Sequence, residues 1–129
     1  MYMAHPGQAR MHYEAMAYAS RIEGASPHEL VTILYEELVM SLTLLSHAYN
    51  AKDSVKANAQ FSRASGIIHA LEAGLDLKLG GNLAQTLAGI YQSARKEIMS
   101  AREMQDATRI ERLARAVADM AESWNKISA

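Results

Sequence analysis

An all-α fold, an antiparallel up-down four-helix bundle with a short additional N-terminal helix or arm, follows from three features of the sequence. Helix-forming Leu, Ala, Met, Glu, Lys, Gln and Arg dominate, whereas β-branched and aromatic residues are sparse and never alternate with polar ones over a sustained run. Apolar residues recur at three- and four-residue steps through four long segments. The links between these segments are short, which makes neighbouring helices antiparallel. The chain has 129 residues, 50% of them hydrophobic, enough for one domain with a real core and too few to argue for two.

Residues 1–8 carry Pro6 and Gly7 and no helical period, so they read as a flexible N-terminal arm; residues 9–129 form a single helical domain. A short first helix over 9–23 has a narrow apolar face of Met11, Ala15, Tyr18 and Ile22 that ends at Gly24, and it docks rather than anchors. The second helix has the sharpest start signal. Ser26 is placed to cap it with Glu29 reaching back, and Pro27 occupies the first helical position, where its missing N–H costs nothing. From Pro27 to Asn50, Leu30, Ile33, Leu34, Leu38, Leu42 and Leu45 share one face. Val31, Tyr35, Val39 and Met40 add apolar surface beside it. That surplus exceeds what one core stripe needs.

Ala51-Lys52-Asp53 reads as a turn, with Asp53 as the next cap. The third helix is expected from Ser54 to Lys78 on a seam of Ala57, Phe61, Ala64, Ile68, Leu71 and Leu75, flanked by Ile67. Gly80-Gly81 is expected to end it, with Asn82 and Gln85 capping a fourth helix to Met104 built on Leu83, Leu87, Ile90, Tyr91, Ala94, Ile98 and Ala101. Asp106, or Thr108 paired with Glu111, opens a fifth helix. Its Ile110, Leu113, Val117, Met120, Trp124 and Ile127 alternate three- and four-residue steps without a break.

Composition removes several function classes. With 13 Lys and Arg scattered against 14 Asp and Glu, the chain has no basic footprint for nucleic acid or an anionic membrane. No segment reads as a targeting sequence or a membrane span, and the absence of cysteine excludes disulfides and thiolate chemistry. A cytoplasmic protein without membrane insertion is the simplest expectation. The five histidines form no Glu-x-x-His or His-Glu-x-x-His pattern, and the nearest pair, His69 with Glu72, reads as a solvated helical contact. The methionines pair with no histidine in a haem-like motif and read as adaptable packing. The serines lack a nucleophile elbow, and Gly80-Gly81 lacks a phosphate-loop lysine. No catalytic, metal or cofactor site is expected. Two other readings stay open: a cofactor-carrying four-helix bundle, and a helical adaptor or phosphotransfer domain using His47 or His69.

The segment Ala25-Ser26-Pro27, then Leu30, then Ile33-Leu34-Tyr35-Glu36 is similar to a Ser-Pro-x-x-Leu-Ile-x-x-Leu-Tyr-Asp-Gly pattern. Ile67-Ile68, Leu71 and Gly74-Leu75-Asp76 continue the likeness, as do Gly80-Gly81-Asn82-Leu83-Ala84, Leu87, Ile90-Tyr91, Ala101 and Trp124-Asn125-Lys126. Over residues 13 to 127 the chain resembles the FliS family of flagellar export chaperones. The resemblance implies a cytoplasmic bundle that binds the C-terminal region of flagellin, prevents premature polymerisation and assists delivery to the flagellar type III secretion apparatus. It also implies an N-terminal cap that the client displaces, carried by Tyr13 and followed by Ile22; Tyr18 joins them because it shares the weakly apolar first helix, which a competitor with better anchors displaces. The export apparatus and a co-chaperone or regulator are further candidate partners, and a homodimer is a candidate client-free state. A disordered amphipathic client lays apolar anchors into grooves between helices. The expected contact surface is Leu30, Ile33, Leu34, Tyr35, Ile67, Leu71, Leu87 and Tyr91. On that expectation Ile33→Asp or Tyr35→Asp abolishes binding while the bundle stays folded.

Overall fold

The computed structural model describes residues 19–76 and 80–127. The expected arm over 1–8, most of the first helix with Tyr13 and Tyr18, and the expected helix end at Lys78 lie outside the described residues. Within them the chain forms helix α1 over residues 19–23, α2 (Pro27–Ala51), α3 (Ser54–Ala73), α4 (Gly81–Met104) and α5 (Ala107–Asn125), with no strand. The four long helices close a ring in which α2 packs on α3 and α5, and α4 packs on α3 and α5. The interfaces of α2 are the most extensive and those of α4 the least. Leu42 and Leu45 of α2, Ile68 of α3, Ile98 of α4 and Ile110 of α5 are fully buried at the centre. Helix α2 is long and apolar enough to cross a membrane by length and composition, contrary to the sequence expectation that no segment is. Its flanks against α3 and α5 account for that character as core.

Local chemistry sets the helix boundaries. The Ser26 hydroxyl accepts from the Glu29 N–H at 3.2 Å and donates to the Glu29 carboxylate at 3.1 Å, fixing the start of α2. The two tightest links share one solution. Lys52 and Gln105 take left-handed φ values of 54° and 49° as C-caps, and the Asp that follows each caps the next helix. Asp53 N–H donates to Ala48 O and Asp106 N–H to Ala101 O, both at 2.9 Å. Asp106 rather than Thr108 thus opens α5, its side chain accepting from the Arg109 N–H.

The link between α3 and α4 departs from expectation. Helix α3 stops at Ala73 because Gly74, the poorest helix former in the segment, serves as C-cap, and Leu75 then turns in to pack against the core. Helix α4 begins at Gly81, one residue before the expected cap Asn82, and has no side-chain cap. Glycine is required twice here. Gly81 has φ +55°, and a Cβ at Gly80 would lie 2.5 Å from the Ala84 Cβ and 2.6 Å from the Asp76 carbonyl oxygen.

Ion pairs tie the helices together on the outside. Glu36 and Glu37 both engage Arg21 of α1, and half-buried Glu37 also pairs with Arg63 of α3. Arg95 of α4 pairs with Glu72 of α3, and Arg102 lies 4.2 Å over the Phe61 ring. Arg109 of α5 grips Glu97 of α4 through Nε at 3.1 Å and through Nη2, and also donates to Ser100 Oγ at 3.0 Å. The hydrogen bond from Arg109 is the main cause that holds the Glu97 carboxyl below its ordinary 4.5. Because the folded value lies below the unfolded one, the stabilisation is complete above about pH 4.5 and is lost as the pH falls through the folded value. Glu97→Gln is therefore expected to melt slightly below the wild type at neutral pH and to match it in strong acid. A thermal-melt series over pH reads this, and a constant gap at every pH would contradict it.

Candidate partner-binding groove

Loose packing of α4 opens the bundle on two sides. The first opening is a groove of about 610 Å³. Helix α2 contributes Leu30, Val31 and Leu34, α3 and its exit contribute Leu71 and Leu75, and α4 contributes Leu83, Leu87 and Tyr91. Trp124 and Ile127 close the end formed by α5. The second opening, of about 720 Å³, lies between α4 and α5 over Tyr35 and Leu38, with Ile90, Leu113 and Met120 on its walls. Tyr91 borders both. Besides tyrosine, the first groove has Asp76 and His28 as its ionisable lining and the second has Glu97; among the described residues no Lys or Arg lines either.

An aromatic cluster forms the floor. The Tyr35 and Tyr91 hydroxyls hydrogen-bond at 2.6 Å, and Trp124 meets the Tyr35 ring edge-on at 6.2 Å between centroids. The His28 ring stacks on Trp124 at 4.8 Å and 13°. Trp124 Nε1–H donates to the His28 carbonyl at 3.1 Å, and His28 Nε2 lies 3.1 Å from the Trp124 carbonyl, a bond it makes as an N–H donor. This clasp joins the N-terminus of α2 to the C-terminus of α5, and Thr32 Oγ1 donates to Asn125 Oδ1 beside it at 3.4 Å. His28 is thus a structural partner of the single tryptophan. Burial pushes both tyrosine hydroxyls above their ordinary 10, and for Tyr91 the bond to Tyr35 pushes further. Both are neutral near pH 7, so they act as hydrogen-bonding groups and not as bases.

The expected contact residues do not all share one surface. Leu30, Leu34, Leu71, Leu87 and Tyr91 converge on the first groove. Tyr35 lies behind Tyr91 and lines the second opening at 1% exposure. Ile33 faces a separate shallow pocket with Arg21, Thr32 and Asn125, and Ile67 is buried in the core. Ile22 is half-buried at the end of α1. The groove also recruits Val31, Leu75, Leu83, Trp124 and Ile127, which the sequence reading treated as seam residues or as surplus. The signal available for Leu83 and Leu87 was their four-residue spacing at the start of α4. His47 and His69 are exposed, His47 in a pocket with Glu111 and Arg115. Among the described residues no group of three or more His, Asp or Glu is arranged to hold a metal.

Comparison with known proteins places this geometry in a family. The model of the family described as flagellar protein FliS matches residues 9–129. The chain is 30% identical over 117 residues to the flagellar secretion chaperone FliS of Salmonella typhimurium, covering 90% of this chain and 87% of that protein. It is 22% identical over 121 residues to the flagellar secretion chaperone FliSB of Pseudomonas aeruginosa, covering 94% and 96%. An all-helical bundle that opens apolar grooves accords with these relatives, and the chain belongs to the FliS family, a family of flagellar chaperones and not of enzymes.

Proposed function

We propose that this flagellar export chaperone works in the cytoplasm on flagellin, binding its C-terminal region, preventing premature polymerisation and assisting delivery to the flagellar type III secretion apparatus. The observation that carries the reading is the first groove, a long apolar trough with little charge that a helix can enter along its length. A client segment that is disordered until assembly must offset its own ordering cost. Each large apolar side chain that it buries contributes about 1.5–3 kcal/mol, so a few anchors along Leu30, Leu34, Leu71 and Leu87 suffice. The same reading assigns Tyr13, Tyr18 and Ile22 to a cap that the client displaces.

Flagellin from the same organism, intact and lacking its C-terminus, tests the reading by titration against the purified chaperone. Trp124, the single tryptophan, sits at the groove end and supplies an intrinsic fluorescence signal. Binding of the intact protein with a Trp124 shift, lost on truncation, is the expected result. Equal binding of the truncated flagellin would contradict the assignment.

A further inference from the structure

The Tyr35–Tyr91 pair holds more hydrogen than its own bond uses. Each phenol has one O–H donor, so the pair has two, and the 2.6 Å bond between the oxygens takes up one of them. That bond is the one hydrogen bond either hydroxyl makes among the described residues. The rings are 1% and 3% exposed and border the second opening, so a helix that fills the opening shuts the second O–H off from water. A buried donor left unmatched is costly, whereas two phenylalanines would fill the same space at almost no cost. The pair also stands at a distinctive place. Tyr91 forms the wall common to both openings, and it is carried by α4, the helix with the smallest interfaces.

We propose that this hydroxyl pair is a specificity element for the client. Its second O–H donates to a neutral side-chain oxygen, from Asn, Gln, Ser or Thr, set within the otherwise apolar face of the helix that enters beside α4. A neutral acceptor is favoured over a carboxylate because Glu97 already lines the second opening and Asp76 the first, and among the described residues no Lys or Arg lines either. The inference rests on the client reading above and adds the chemistry of one contact. It makes the groove a reader of one polar position, so that a purely greasy helix binds less well than one with an oxygen at the right place.

The test pairs the double variant Tyr35→Phe/Tyr91→Phe with a peptide of the C-terminal segment of the organism's flagellin. Alanine replaces each Asn, Gln, Ser and Thr of the peptide in turn, and affinities are read by calorimetry. The double variant is expected to keep its helicity and melting temperature while binding the parent peptide roughly 5- to 30-fold more weakly. One alanine peptide should lose a similar factor against the wild type and nothing further against the double variant. Unchanged affinity of the double variant, or no coupled peptide position, overturns the proposal. The peptide scan against the wild type alone is a second check that needs no variant to fold: if no alanine replacement weakens binding at least fivefold, the proposal fails. A wild type that binds none of these peptides overturns the client reading itself.

Discussion

Leu30→Asp combined with Leu83→Asp is expected to abolish capture of the flagellin C-terminal segment while leaving the bundle folded. Leu83 is 54% exposed and Leu30 half-buried, so neither aspartate is forced into the closed core around Leu42, Ile68, Ile98 and Ile110. Both leucines line the first groove, one from α2 and one from α4. In the free protein the new carboxylates remain solvated. Once a helix fills the trough they are shut against apolar side chains, with no Lys or Arg among the described lining residues to compensate. Lost burial alone removes roughly 3–6 kcal/mol, more than a hundredfold in affinity, before the desolvation penalty is added. Calorimetry against intact flagellin measures the loss, and circular dichroism checks the fold. Met40→Asp with Leu44→Asp is the matched control, since both side chains are exposed on α2 and line neither opening. Affinity of the groove variant within tenfold of the control would remove the groove from consideration.

The sequence made the bundle legible because its determinants are local. Ser26-Pro27, Asp53 and Asp106 cap their helices through partners three residues away, a distance that the chain itself displays. The end of α3 is not legible in the sequence because the seam through Leu75 persists past Gly74, and only the packed neighbours decide that Leu75 is reached by a turn and not by another turn of helix. The apolar excess of α2 was also legible, but its division was not. Which of two adjacent stripes meets α3 and α5, and which meets the opening left by α4, depends on where those helices lie. The result separates Leu30 and Leu34 from Ile33 and Tyr35, which the sequence grouped together. The clasp of His28 on Trp124 spans 96 positions and the hydroxyl bond of Tyr35 to Tyr91 spans 56, with no motif to announce either.

That division changes what the aspartate substitutions do. Tyr35→Asp, expected from the sequence to spare the fold, is expected from the structure to destroy it. The substitution empties the volume of a ring that is 1% exposed and leaves the Tyr91 hydroxyl without its partner. It also places a carboxylate against Leu38 and Trp124, beside an opening that no described Lys or Arg lines. Truncating a large aromatic costs about 3–5 kcal/mol and a buried unpaired charge adds several more, which together match the whole stability of a domain of this size. Ile33→Asp differs although its side chain is also buried. It borders a shallow pocket with Arg21, Glu29, Thr32 and Asn125, so the new carboxylate has a cation and polar groups within its surroundings, partly offset by the Glu29 carboxylate one turn earlier. Its cost is expected to stay near 2–3 kcal/mol, with the cooperative transition preserved. Urea denaturation separates the two, since Tyr35→Asp should show no folded baseline and Ile33→Asp a lowered midpoint with an unchanged slope. A Tyr35→Asp protein with a wild-type midpoint would mean that Tyr35 is a surface anchor after all. Without that result, lost binding in Tyr35→Asp measures lost structure, and the groove has to be tested at Leu30 and Leu83.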